Sequence, residues 1–445
     1  MDFAPNTDKD REEMLKEIGV KSIKDLFVDI PENILIKDGL KIPKRMDEKS
    51  VSELVESLSK KNASTREYIS FLGAGCYNHF IPSAVGHLAY RSEFYTAYTP
   101  YQPEISQGIL QAIFEFQTYI SEITGMDLAN ASMYCGASAL AEAVMMAKNH
   151  NEKKKIIISK TVNPEYRAVV QTYATANELE IVEIGFDSKL ETDISELEKI
   201  IDEKTACVIV QYPNFFGTLE DLEKISSLAH AKGAVAIASV QEMYALGLLK
   251  SPGELGMDIA ACEAQSFGNP MAFGGPHLGV IACKNDFMRR IPGRLVGKTK
   301  DSEGKDGFIL TLQAREQHIR REKASSNICS NQALCALAAT IHLSMLGKNG
   351  LQKASEICAR NTAYAKKKFS DMNMKVHNAN CFNEFCVGIP KAENVFDELV
   401  KKKFIIGLKL WPFYPDMKDR VLVSFTEMNT KKDIDEFFTA LEGSL

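Results

Sequence analysis

The sequence predicts an α/β protein: a mostly parallel sheet of about seven strands covered by helices, followed by a smaller carboxy-terminal α/β domain. Two observations predict it. Between residues 155 and 283, short, continuous apolar runs alternate with amphipathic ones, as expected of strands buried on both faces and joined by covering helices. After residue 331 a long helical run leads into further alternating segments, enough for a second, smaller layer. The expected boundaries are an amino-terminal helical arm over residues 1–68, a large domain over 69–328 and a small domain over 329–445.

The arm comes first. DKDREEMLKEIGV sets Met14, Leu15 and Ile18 on a narrow stripe. A second helix is expected with Ser50 as its cap, Glu53 reaching back in a capping box, and Val51, Leu54, Val55 and Leu58 on one face. From about residue 70 the texture changes to Gly-, Pro- and aromatic-rich loops, LGAGCYNHFIPSAVG and EFYTAYTPYQPEISQG. A helix follows, with Leu110, Ile113, Phe114, Ile120 and Ile123, and Gly125 ends it.

The sheet is read from KIIIS (155–159), EIVEIG (180–185), ACVIVQ (206–211) and AVAIAS (234–239), with helices from Pro164, near Ser195 and from Glu220 between them. EAQSF (263–267) and LGVIAC (278–283) lack a full helix between them, so a hairpin-like antiparallel edge is expected there. A long helix over about 331–346 leads to NEFCVGI (383–389) and RVLVSF (420–425), and a last helix is capped at Thr430 with Asp433 three residues on. No internal repeat stands out.

Composition excludes several function classes. The chain has 445 residues, 45% hydrophobic and 25% charged, with a formal net charge of -6, so it offers no general attraction to phosphate backbones or anionic lipid. Neither a nucleic acid nor a membrane is expected as a partner. The start lacks the basic cluster and apolar stretch of a secretory signal, and no run approaches the roughly 20 apolar residues of a membrane span; a cytoplasmic location is expected. The ten cysteines are scattered in apolar stretches such as those around Cys207 and Cys283 and read as core thiols. The nearest pairs, Cys329/Cys335 and Cys381/Cys386, do not have zinc or redox spacing, so no metal site is expected.

Four segments offer chemistry. There is no phosphate-binding G-x-x-x-x-G-K-[ST] loop, and Gly73 and Gly75 imitate only half of a dinucleotide fingerprint. YCGASALAEAV opens a helix with Gly136, Ala137 and Ser138, which reads either as an ordinary helix entry or as a phosphate cradle. Tyr95, Tyr98, Thr99, Tyr101 and Gln102, with Pro100 and Pro103 between them, suit neither strand nor helix interior; a rigid loop of hydrogen-bonding tips points to a ligand or a partner. LQAREQHIRREKASSN carries Arg315, Arg320, Arg321 and Lys323, a solvated helix face or an anion site. His79, His87, His277 and His318 each read as structural histidines.

Several strings together carry a resemblance: YTPYQPEISQG (98–108), TGMDLANASMYCGASALAEA (124–143), FGNPMAFGGPHLG (267–279), RLVG (294–297) and LQAREQHIRREKASSNIC. They resemble the amino-terminal half of the glycine decarboxylase P-protein family, which in many prokaryotes is a separate subunit, and the likeness spans essentially the whole chain. It implies the scaffold of a fold-type-I pyridoxal-phosphate enzyme. It also implies a complex that decarboxylates glycine and passes the aminomethyl group to the lipoyl arm of the H carrier protein, with the cofactor held covalently by a lysine.

The resemblance also implies a departure. The family's lysine lies a few residues before a glycine-rich turn, here Gly274, Gly275 and Pro276, and counting back puts Gln265 or Ser266 in its place. No lysine occurs from 251 to 283. Pyridoxal phosphate is therefore expected on a lysine-bearing beta subunit and not covalently on this chain. An acidic partner for the pyridine nitrogen is not evident, although Glu242 lies in the region where one would be sought. The aromatic loop is then expected to help build a shared cleft in a heterotetramer. The alternatives are a self-sufficient enzyme of the same fold, an aminotransferase or desulfurase using Lys250 or Lys284, and a non-catalytic scaffold subunit.

Overall fold

The computed structural model describes residues 6–36, 39–324, 326–328, 330–378 and 380–445, and the chain divides into two compact units, Met1–Ala63 and Ser64–Leu445. Cys329 and Ser325 of the arginine-rich run lie outside the described residues.

In the first unit, α1 (Asp8–Ile18) begins with a reciprocal capping box between Thr7 and Asp10. The second helix, α2 (Glu48–Ser59), is capped differently from the sequence expectation. Asp47 is the N-cap, and its carboxylate accepts from the Ser50 backbone N–H at 3.0 Å and from the Ser50 hydroxyl at 2.6 Å. An ionised acceptor outcompetes a hydroxyl for these N–H groups. Neither helix buries a residue.

The second unit opens with β1 (Ile69–Ser70), α3 (Ser83–Ala89) and α4 (Ser92–Tyr95) and then the long helix α5 (Gln107–Thr124). Gly125 ends α5 in the left-handed conformation (φ 66°), as Gly at that position allows. After β2 (Leu128–Ala129), strands and helices alternate: α6 (Gly136–Asn151), β3 (Lys155–Ser159), α7 (Pro164–Ala176), β4 (Glu180–Ile184), α8 (Ile194–Ile200), β5 (Thr205–Gln211), α9 (Leu222–Ala231) and β6 (Val235–Val240). Then come β7 (Ile259–Glu263) and β8 (Gly279–Cys283).

These strands form one seven-stranded sheet in the order β2-β8-β7-β6-β5-β3-β4. The pairs from β4 through β7 are parallel, and β8 runs antiparallel to both β7 and β2. Every residue of β5, β6, β7 and β8 is buried, the continuous apolar signature of strands covered on both faces. One apolar core lies on each side: Val208, Val210 and Cys262 point to one, Cys207, Ile209 and Ala261 to the other.

The strand expected at 263–267 lies earlier, at 259–263. The chain turns away at Glu263 because that carboxylate accepts from the Gln265 N–H at 3.0 Å, which closes a turn and ends the ladder.

Next, β9 (Leu295–Lys300) and β10 (Asp306–Thr311) form an antiparallel hairpin, followed by the short helix α10 (Gln317–Arg320). The long helix α11 spans Ala333–Asp371 and is broken at Gly347 (φ 57°), one residue past the expected end. Then β11 (Glu384–Gly388), α12 (Ala392–Lys401), β12 (Phe404–Ile405), β13 (Leu408–Lys409), β14 (Arg420–Ser424) and α13 (Lys431–Glu442) close the chain. A three-stranded sheet, β11-β14-β13, and α13 enclose a core of Phe385, Val423, Phe425 and Phe437. Thr430 and Asp433 form the expected capping box. Residues 69–71 join this carboxy-terminal layer: β1 pairs with β12, and Phe71 is fully buried against Phe425 and Phe437. Among the described residues, no helix is long and apolar enough to cross a membrane.

Candidate functional site

In an open parallel sheet, ligands bind beyond the carboxyl ends of the strands. Here that rim is filled by the protein itself. Gln211 and Gln241, one at the end of β5 and one just past the end of β6, bond to each other at 3.0 Å, and Asn163 donates to Gln241 from its side chain at 3.1 Å and to Gln211 from its backbone at 2.8 Å. The chain at Gly75 (φ 103°) presses on them: a Cβ there would lie 2.5 Å from the Gln241 Oε1.

The amino terminus of α6 is likewise occupied. Glu263, 2% exposed at the end of β7, accepts from the Gly136 N–H at 2.9 Å with one oxygen and from Gln265 and Leu278 N–H at 3.0 and 2.9 Å with the other. His277 lies 3.6 Å from the same carboxylate, which draws its pKa upward. Ser138 turns its hydroxyl back onto Cys135, accepting from its N–H at 3.2 Å and donating to its carbonyl at 2.9 Å; Ala137 is buried. Gly136 has no room for a side chain, since a Cβ would lie 2.5 Å from the Tyr166 hydroxyl.

A phosphorylated cofactor does not fit these residues. The helix start already holds a carboxylate, and a second anion beside it would be repelled at a distance of a few ångströms in a low-dielectric setting. Gln265, expected in the lysine's place, has its amide consumed internally: Nε2 donates to the Asn269 carbonyl, and Oε1 accepts from the Cys76 thiol at 3.4 Å. Its neighbour Ser266 is buried as well. Glu242, the expected region for an acidic partner, is engaged elsewhere. It accepts from Tyr244 N–H at 2.9 Å and Asn383 Nδ2 at 3.0 Å, and lies 3.1 Å from His79 Nε2.

His79 is the centre of a buried charge cluster. Its Nδ1 lies 2.7 Å from Glu427 and its ring stacks on Tyr244 with centroids 3.8 Å apart. Burial pulls the imidazole pKa down, but the charges and hydrogen bonds of Glu242 and Glu427 outweigh it and push it up to about 9; Glu427 is correspondingly held down, burial notwithstanding. His79, Cys358 and Glu427 bring ligand-type atoms within 4.8 Å of one another, yet both ring nitrogens already face carboxylates, the arrangement of a charged imidazolium.

The aromatic loop lies elsewhere in this unit. Tyr95, the last residue of α4, with Tyr98 and Thr99, lines a cavity of about 270 Å³ against α5 and the start of α11. Tyr98 is 86% exposed, so its ring stands at the mouth. Tyr101 is not part of that lining but has the Arg294 guanidinium 5.8 Å from its ring centre; Gln102 is exposed and is not part of that lining either. Thus three of the five expected residues reach one cavity.

The remaining basic and histidine residues scatter. Arg315 is turned inward and donates to the carbonyls of Ile291 and, at 2.9 Å, Gly293, whereas Arg320, Arg321 and Lys323 are exposed. His87 and His318 are exposed. Lys284 pairs with Asp258 at 2.9 Å, just beyond the Ile259↔Cys283 pair of the β7–β8 ladder and therefore at the opposite end of β7 from Glu263. Lys250 pairs with Glu223 at 3.4 Å in solvent.

Sequence reasoning missed Glu263, the His79 cluster and Arg294. A charged residue at the end of an otherwise apolar strand, IAACE, was the available signal, because a carboxylate is almost never fully buried without donors.

The family described as "Glycine cleavage system P-protein" matches residues 1–441. A Geobacillus protein named "Probable glycine dehydrogenase (decarboxylating) subunit 1" is 51% identical over 441 residues, 99% of this chain and 98% of its own length. One of the same name from Desulforamulus reducens is 48% identical over the full length of both. A crystal structure described as glycine decarboxylase (P-protein) of the glycine cleavage system, in inhibitor-bound form, superposes over the whole of both chains with a TM-score of 0.90 and 39% identity. The Lactobacillus brevis glutamate decarboxylase, at 12% identity and a TM-score of 0.68 over 93% of this chain and 95% of its own, shares the fold.

Proposed function

The chain belongs to the glycine cleavage system P-protein family, and on that premise we propose that it is the lysine-less alpha subunit of a two-subunit glycine decarboxylase. Its companion is a homologous beta subunit that carries the lysine, and two of each form a heterotetramer in the cytoplasm. Together they release CO2 from glycine and hand the aminomethyl group to the lipoyl arm of the H carrier protein. Pyridoxal phosphate, bound covalently by the companion, supplies the electron sink for the decarboxylation.

The observation that carries this division of labour is the internal anion at the start of α6. A chain that has put the Glu263 carboxylate on the Gly136 N–H has given up the place where a phosphate would be held. What this chain contributes is shape and positioning. Tyr95, Tyr98 and Thr99 at the cavity, with Tyr101 and Gln102 beside them, are the residues proposed to face the shared cleft. Pro100 and Pro103 restrict the loop, so its polar tips lose little freedom on binding.

The test is reconstitution. The purified chain, the lysine-bearing companion and a lipoylated carrier are assayed for CO2 release from glycine, singly and mixed. Activity is expected only in the mixture, and borohydride reduction with peptide mapping is expected to find pyridoxyl-lysine on the companion alone. A label on Lys250 or Lys284, or full activity of the companion without this chain, overturns the proposal in favour of a self-sufficient enzyme or an inert scaffold.

A further inference from the structure

Among the described residues, Arg294 is a buried cation without a counter-ion. It is 5% exposed, and its Nε has no hydrogen-bond partner. Its Nη1 donates to Asn331 Oδ1 at 3.2 Å, and the guanidinium carbon lies 5.8 Å from the centre of the Tyr101 ring. Among the described residues, no carboxylate comes within salt-bridge distance of it. Guanidinium cannot escape burial by losing its proton, and leaving a buried charge unpaired costs several kcal/mol. Residues of this kind are kept where an anion arrives from outside.

The place where it arrives is also visible. Arg294 lines the same cavity of about 270 Å³ as Tyr95, Tyr98 and Asn331, smaller than the pockets that take drug-sized ligands. The side chain is anchored from behind. The preceding turn, Ile291–Gly293, has its three carbonyls held by Arg315 and by Asn130 Nδ2, the latter at 3.0 Å to Pro292. The Arg294 carbonyl accepts from Ala131 N–H at 2.9 Å. Asn331 is itself fixed, donating to Ser132 Oγ at 2.9 Å and the Ala131 carbonyl at 3.2 Å. A cation held this rigidly, with an unpartnered Nε, apolar walls from α5 and α11 and tyrosines at the mouth, is a preorganised receptor for one small planar anion.

We propose that Arg294 is the carboxylate-binding residue of a small-molecule site formed with Tyr95, Tyr98 and Asn331. Resting on the function proposed above, the carboxylate is that of glycine, and Arg294 positions the substrate for a cofactor carried by the companion subunit. It is a positioning residue, and no bond of the substrate changes at it.

The test has two arms. In the reconstituted complex, R294Q is expected to raise the glycine KM by about 10- to 100-fold, the loss of one charge-assisted pair, while kcat changes by less than about threefold and cofactor absorbance and subunit assembly stay as in the wild type. R294K, which keeps the charge but not the fork, is expected to fall between. In the isolated chain, acetate at constant ionic strength against chloride is expected to raise the melting temperature of the wild type and not of R294Q. This second arm reports on the site even if the wild-type mixture proves inactive on glycine, in which case the functional reading fails and the anion site stands or falls on acetate alone. An unchanged KM, a loss of assembly in place of a KM effect, or equal acetate responses in both proteins overturns the proposal.

Discussion

The Glu263 carboxylate accepts a hydrogen bond from the Gly136 backbone N–H at 2.9 Å, at the first residue of α6. One side chain thereby takes the positive end of a helix dipole and satisfies two further N–H groups, of Gln265 and Leu278. E263A would strand all three donors in a site that is 2% exposed. A loss of roughly 2–4 kcal/mol in urea unfolding is expected, partly recovered by sulfate, which should raise the melting temperature of the variant and leave the wild type nearly unmoved. E263Q keeps an acceptor oxygen and should lose less. An E263A protein as stable as the wild type would show that the carboxylate is not what satisfies this helix end.

Gly217 is where the β5 loop meets the carboxy-terminal sheet. Its φ is +82°, and a Cβ would lie 2.0 Å from the Glu384 carbonyl oxygen. G217A therefore combines backbone strain with a clash against main chain that cannot swing away. The expected cost is more than about 2 kcal/mol, read as a shift of the unfolding midpoint with little change in slope.

His79 makes stability depend on pH. Its folded pKa, about 9, lies above the ordinary 6.5, so the stabilisation is complete below pH 6.5 and is lost as pH rises through 9. Glu384 acts in the same sense. Burial raises its carboxyl to about 8, so the folded state prefers the protonated form and becomes less favoured between about pH 4.5 and 8. Denaturant stability should therefore decline from pH 6.5 to 9. H79Q, which leaves Glu242 and Glu427 without their shared cation, should be about 3 kcal/mol less stable near neutral pH and should show a shallower decline. An unchanged slope in H79Q would assign the pH dependence to other groups.

Tyr98 and Tyr101 test the loop without disturbing its packing. Y98F and Y101F each remove one hydroxyl from rings that are 86% and 49% exposed, so stability should change by less than about 0.5 kcal/mol. In the reconstituted complex a fall in glycine turnover of about tenfold or more is expected if these hydroxyls position substrate or the lipoyl arm. Full activity of both variants would make the loop a purely structural element.

Elements whose signal is local are legible in the amino-acid sequence alone. The buried strands appear as unbroken apolar runs because both faces must be dry, the Gly125 stop and the Thr430 cap are set by the conformations those residues favour, and the family likeness rests on contiguous strings. The sequence also shows that no lysine stands between 251 and 283. What lay beyond it were relationships between residues far apart in the chain. The start of α6 reads as a phosphate cradle or an ordinary helix entry, and only the approach of β7, 127 positions later, decides that Glu263 occupies it. Ile69–Ser70 is too short to signal a strand and becomes one only because Phe404 and Ile405 lie beside it. Arg294 reads as one residue of a short motif until the fold removes its solvent and sets it beside Tyr101 and Asn331. Propensity and periodicity act over a few residues, whereas burial and charge pairing are settled by which surfaces the packed sheet brings together.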